Sequence, residues 1–409
     1  MPSVDPAAFF RPEAMEHPHA LHARLRRMAP VCTLDGVGVH FVGSFAAVEE
    51  GVRRHEAFSA NLTGLLVRGD DGRPHIVDLP FTGSATQVIA TADEPEHAVH
   101  RRIVQPAVAA KRVAALESPV RAFARDRIAR FVAEGGGDWC DAVAEPLPAF
   151  VVMNLLGMAE DELERARRWA MMGGDLVGGN FDQARMHALF QESAKMLGFL
   201  AGLFDRTRAT PPGERAATLT TALAAGVEAG GISREQAIGI LMILFGAAGE
   251  STASLLGSAV RLLAQDAALA DALRRDPNRI PDFVEEAVRL EPPFHFHYRV
   301  ARADTELCGT RVRAGERLML SWAAANRDPD VFDDPDALRL ERAQSRRHLS
   351  FGRGIHFCVG APIARMEVRV AIEELLARTR RIELDPARPP AHVASIFVRR
   401  LETLPLRTS

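Results

Sequence analysis

Lysine is nearly absent from this chain: of 50 Lys and Arg residues, only Lys111 and Lys195 are lysines. That usage, with abundant alanine and glycine, is associated with a GC-rich, bacterial genome. A charge excess is missing too, since the net charge is −3 and the pI is near 6.5. No global basic field exists to gather nucleic acid or an anionic membrane. Cysteine is scarce, and Cys32, Cys140, Cys308 and Cys358 are widely spaced with no C-x-x-C and no preceding signal peptide. This argues against a disulfide framework and for reduced thiols in a cytoplasmic protein. A membrane anchor is not expected either, because Asp5, Arg11, Glu13 and Glu16 interrupt the N-terminal stretch among prolines.

What is present is a chain of 409 residues, long enough for a large core, in which helical periodicity dominates. Its most informative stretch runs from His348 to Ala361 and sets Cys358 among Gly352, Gly354 and Gly360. The run from Ala361 to Arg378 reads as a helix with Pro362 in its first turn, so Cys358 stands at a helix N-terminus. That position favours thiolate over thiol, and a thiolate can hold a metal. The glycines lack Cβ, which lets the backbone turn sharply and lie against a flat ligand.

The pattern Phe351-Gly352-x-Gly354-x-His356-x-Cys358-x-Gly360 resembles the haem-binding loop of the cytochrome P450 family, the haem-thiolate monooxygenases. The resemblance implies a mainly α fold with small β-sheets and a single haem-binding domain over 1–409. Its helical core would occupy about 93–290 and 358–380, and its β-rich parts about 30–60, 294–322 and 383–406. It also implies haem b as cofactor and Cys358 as the axial ligand, whose electron donation assists O–O cleavage. Phe351, Gly352, His356 and Gly360 would line the cofactor.

Along the chain, residues 13–28 read as a helix, 31–42 as a hairpin, and 61–91 as loop with short helices. His97 and Arg101 are four apart on a predicted helix and can donate to one anion. By resemblance they bind a haem propionate, with Arg299 as a second donor, while His100 has no assigned role. Ser233-x-x-Gln236 is a capping box that opens a long apolar helix reaching about Ala264. Its uncharged run from Ala237 to Gly249 is too short to span a bilayer, and Glu250 would lie near the bilayer centre. A buried core helix is therefore expected.

Within that helix, Ala247-Ala248-Gly249-Glu250-Ser251-Thr252 resembles the family's acid–alcohol pair, which delivers protons to bound dioxygen. Glu250 takes the acid position and Ser251 the alcohol position, with Thr252 beside it. Serine stands where threonine is usual, and Ala248 where glycine is common, so tight coupling of oxygen use to product is in question. Glu286 and Arg289 are helical neighbours that resemble the family's buried stabilising pair. Phe294 to Ala301 reads as a strand, which by resemblance edges the pocket.

The resemblance implies a monooxygenase acting on O2 and an apolar small molecule. Leu65, Leu66, Leu244, Ala248, Phe294, His295, Phe296, His297, Ile396 and Phe397 are its pocket candidates. No flavin or nicotinamide module is visible, so a ferredoxin or flavodoxin with its reductase is the expected electron source. Arg102, Lys111, Arg112, Arg346, Arg347 and Arg353 are candidates for its docking face. The same scaffold also supports oxidative coupling, desaturation or peroxygenase chemistry. A reading of another class is a haem-dependent ligand sensor without turnover.

Overall fold

The computed structural model describes residues 2–79, 87–180 and 182–409. Its axis is the helix Arg234–Gln265, 32 residues long and so ~48 Å at 1.5 Å per residue. Ser233 starts it as expected: the Ser233 hydroxyl accepts from the Gln236 N–H, and the Gln236 side chain accepts from the Ser233 N–H. Among the described residues it is the one helix long and apolar enough to cross a membrane, yet more than half of its most apolar stretch is buried in protein. Its C-terminal half packs with Ala110–Ala133, Ile280–Leu290 and Ala361–Arg378 around Leu256, Val260, Phe283 and Ile372. The N-terminal half packs with Pro146–Leu156 and Leu163–Ala170 around Leu241, Phe245 and Trp169.

A six-stranded sheet lies to one side, in the order Ser3–Val4, Val31–Leu34, Val39–Val42, Arg317–Ser321, Phe296–Ala301, Phe58–Ser59. The 31–42 hairpin is present, with Cys32 paired to Phe41. The strand Phe296–Ala301 runs antiparallel to Arg317–Ser321, with Arg299 opposite Leu318. Phe296 and Tyr298 therefore share one face, and His297 and Arg299 the other.

Two local expectations differ from the structure. Residues 13–28 form two helices, Pro12–Glu16 and Pro18–Met28, because Pro18 opens a new first turn after His17. The 61–91 stretch holds a β-hairpin, Gly64–Arg68 against Pro74–Asp78, rather than only loop and short helices. Its Gly and Asp residues are the turn, with Gly72 at φ 78°, and Leu65 and Leu66 are its buried strand residues. Part of the remaining stretch lies outside the described residues.

Candidate haem-thiolate active site

The Cys358 loop closes on itself through a hydrogen bond from the Cys358 N–H to the Phe351 carbonyl at 2.8 Å. Gly352 and Gly354 sit at φ 67° and 70°, a region that strongly favours glycine. Gly360 is ordinary helical backbone at φ −86°. A Cβ there would lie 3.9 Å from the Cys358 sulfur, an ordinary van der Waals contact, so neither the backbone nor the space around it requires glycine. Phe351 is held beneath the Arg365 guanidinium, 4.3 Å from its ring centre. Arg365 in turn forms two hydrogen bonds to Glu285 at 2.5 and 3.0 Å, and His348 a third contact at 3.1 Å.

The helix Ala361–Arg378 begins just after Cys358, and the backbone N–H groups of Gly360 and Ala361 point at the sulfur. They do not produce the lowered thiol pKa expected from the sequence. Burial among protein atoms pushes the thiol up, and it outweighs those N–H groups together with Arg101 and Arg365. Metal coordination reverses that balance, because a bound thiol is deprotonated outright. The sulfur-bearing residue is itself exposed by area, so it stands at the wall of an opening.

The central helix faces a comparable opening. Leu241 and Phe245 are buried, whereas Ile243, Leu244, Ala247, Ala248 and Ser251 are open along one stripe at helical spacing. Ala247 is exposed in the middle of a core helix. Val359, beside the cysteine, packs in the same apolar cluster as Ile243, Leu244 and Ala248. The stripe and the residue next to the thiol thus border the same apolar cluster.

Polar groups near this opening lack partners that an anion would supply. Arg299 is 6% exposed, yet among the described residues its guanidinium meets only the Tyr298 carbonyl, at 2.7 Å; burial lowers its pKa to about 10. The ring of His356 lies 4.1 Å from that of His97, and its Nδ1 is buried with no partner among the described residues. Burial, with Arg299, His97 and Arg101 nearby, holds His356 at about 2, so it is neutral. Arg101 donates to the Phe357 carbonyl at 2.7 Å. His100, unassigned from sequence, turns away and accepts from the Ile89 N–H at 3.2 Å. The donors His97, Arg101, Arg299 and His356 fit the two carboxylates of a haem.

Glu250 is fully buried. It accepts from Arg400 Nε at 3.1 Å and from the Gly174 N–H. Burial pushes its carboxyl up to about 7 against the pull of both donors. Gly174 cannot be larger, because a Cβ there would come within 2.6 Å of the carboxylate. Arg400 also reaches Glu145 at 3.3 Å. It borders a crevice of about 520 Å³ shared with Asp175, Arg185 and Glu402. Ser251 lies on the open stripe and donates to the Ala247 carbonyl at 2.5 Å, whereas Thr252 is buried. The open face therefore carries Ser251, not its neighbour.

Sequence reasoning missed Arg400 and Gly174. A buried acid in an apolar helix demands a donor, but nothing local said that residue 400 supplies it. Glu286 and Arg289 are both fully buried. Arg289 makes hydrogen bonds of 2.7 and 2.9 Å to the carboxylate, which excludes a surface ion pair.

The pocket candidates divide. Leu65, Leu66, Phe296, Ile396 and Phe397 are buried in one apolar cluster, while Leu244, Ala248, Phe294 and His297 keep open surface. His295 is not at this opening: it is 2% exposed and packs against His19 and His22, its ring 5.4 Å from the latter. The chain turns before entering the strand at Phe296, which sends His295 away from His297. Of the docking candidates, Arg353 is committed to Glu49 and Arg347 lies over Phe45. Arg102, Lys111 and Arg346 are exposed.

The cytochrome P450 family model matches residues 185–392. The chain belongs to the cytochrome P450 family. It is 37% identical over 403 residues to cytochrome P450 144 of Mycobacterium tuberculosis, covering 98% of this chain and 91% of that one. It is 33% identical to the erythromycin C-12 hydroxylase of Saccharopolyspora erythraea, with 88% and 87% covered. The solved structure of cytochrome P450 CYP109Q5 from Chondromyces apiculatus superposes with a TM-score of 0.83 at 28% identity, with 100% and 98% covered. As a P450 the protein is a haem-thiolate monooxygenase with haem b as cofactor, and its fold is the P450 fold.

Proposed function

We propose that this P450 inserts one oxygen atom from O2 into an apolar small molecule, by hydroxylation or epoxidation, using electrons from a separate ferredoxin or flavodoxin system. The observation that carries the reading is the apolar stripe Ile243, Leu244, Ala247 and Ala248, which ends at Ser251 and opens toward the Cys358 region. Apolar lining favours apolar substrate, since each buried CH2 contributes about 0.8 kcal/mol. When bound, haem supplies the iron chemistry that activates dioxygen.

The chain supplies the setting. Cys358 would hold the haem iron through its sulfur, and the Gly360 and Ala361 N–H groups would moderate the charge there. His97, Arg101, Arg299 and His356 would hold the propionates, and Phe351, Gly352 and Gly360 would line the cofactor. Glu250, near 7, exchanges a proton in the physiological range. Ser251 passes it on from the open face, its hydroxyl being able both to donate and to accept. Glu286 and Arg289 fix the core behind the loop. Exposed Arg102, Lys111 and Arg346 offer positive charge to an acidic electron donor. The whole of 1–409 acts as one haem-binding domain.

The ferrous–CO spectrum tests this reading. The protein should show the red-shifted band of thiolate-ligated haem, and Cys358→His should abolish it; a band that survives the substitution removes Cys358 as ligand. Spectral titration against a compound library then identifies the substrate.

A further inference from the structure

His297 occupies the half-buried strand position two before Arg299. Its ring is fixed from three sides. Trp322, 3% exposed, donates its indole N–H to His297 Nδ1 at 2.7 Å. Phe294 and Phe397, stacked on one another at 4.7 Å, each meet the imidazole edge-to-face with centroids 5.6 Å apart. Indole is a donor only, so Nδ1 must be the bare nitrogen. The proton of the neutral ring is then on Nε2, and among the described residues no acceptor meets it.

Burial and the nearby Arg299 hold the imidazole at about 3, so the ring is neutral at physiological pH. It is a fixed, uncharged N–H donor beside two phenyl rings. An anion is better served by Arg299, a permanent cation on the same strand face and ~6.7 Å further along. What suits His297 is a neutral acceptor on an otherwise apolar body.

We propose that His297 Nε2–H is a specificity donor for a carbonyl or ether oxygen of the substrate, and that Trp322 is the positioning residue that sets its tautomer. The substrate class is accordingly an apolar skeleton bearing a ketone, ester, lactone or ether, not a plain hydrocarbon. This rests on the monooxygenase reading, because it takes the opening beside His297 to be the substrate pocket. A polar site rejects an analogue that leaves its donor unpaired more strongly than an apolar site rejects one with a missing methylene.

Phenylimidazoles test the proposal, since the azole nitrogen anchors each probe on the haem iron and the phenyl substituent explores the pocket. Ortho, meta and para acetyl compounds are compared with their isopropenyl counterparts, which match them in shape but are very weak acceptors. At least one acetyl isomer should bind about 3- to 10-fold more tightly than its counterpart, the range of a neutral hydrogen bond. That preference should vanish in His297→Phe with the isopropenyl affinity kept within about twofold, and shrink in Trp322→Phe.

No acetyl preference in the native protein, or one that persists in His297→Phe, overturns the assignment. Loss of haem from His297→Phe, with all probes weakened alike, also overturns it by placing His297 among the propionate donors. If no probe shifts the haem band of the native protein, the monooxygenase reading itself falls. That outcome is distinct from a band shift without acetyl preference.

Discussion

Two buried Glu–Arg pairs in this molecule have the same chemistry and opposite electrostatic outcomes. Glu286 receives Arg289, the Arg339 N–H at 3.0 Å and Arg342 at 3.1 Å to both oxygens. Arg289 spends its remaining donors on the carbonyls of Asn326, Pro335 and Ala337. Burial alone would raise the Glu286 carboxyl, but these donors hold it below its ordinary value. Among the described residues Glu250 receives only Arg400 and Gly174, and burial wins. Glu250 is both the more deeply enclosed carboxylate and the one with fewer donors converging on it, and the two differences together make it a titrating group where Glu286 is a permanent ion. A permanent ion suits a strut and a titrating group a proton carrier.

Breaking the comparison at the strut should have the largest effect. Glu286→Ala leaves Arg289 and Arg342 buried without their carboxylate, and removal of one partner from such a network costs about 3–5 kcal/mol. Thermal unfolding should show a large loss of stability with loss of bound haem. At the other pair, Glu250→Gln keeps the shape and removes the titrating proton. Turnover should fall about 100-fold, the lower end of the usual range for a general acid–base group. The ferrous–CO band should be retained; an unchanged turnover rate would remove Glu250 from the proton path.

The two carboxylates also predict opposite pH dependences. Glu250 is raised from 4.5 to about 7, so its contribution to stability is full below 4.5 and is lost as pH rises through about 7. The stability of the native protein relative to Glu250→Gln should therefore decline across that window, by at most about 3 kcal/mol. Glu286 is lowered, so its contribution is present above 4.5 and is lost on acidification. Denaturant titrations at a series of pH values separate the two signs.

Ser251→Thr gives the smallest effect. A β-branched side chain has fewer rotamers, and a hydroxyl held more firmly on the open face should raise the product formed per O2 consumed by up to about twofold. A fall in that ratio would show that the serine rotamer is already the better one.

Much of this arrangement was legible because it rests on short-range rules. Ser233 and Gln236 cap the central helix through contacts three residues apart. Gly352 and Gly354 occupy the left-handed backbone that their lack of Cβ makes easy. The hairpin at 64–78 was less legible because its Gly and Asp residues read as loop when they are a single turn between two strands. His295 and His297 look equivalent on paper, but the turn before Phe296 separates them.

The sequence by itself determined the thiolate loop, the long apolar helix with one acid in it, and the family, since each is written in contiguous residues or fixed spacings. Only the tertiary structure decided how those groups behave. Arg400 lies 150 residues beyond Glu250, and Trp322 is 25 residues from His297. Protonation and tautomer depend on through-space partners and burial, which act at distances of a few ångström whatever the separation along the chain.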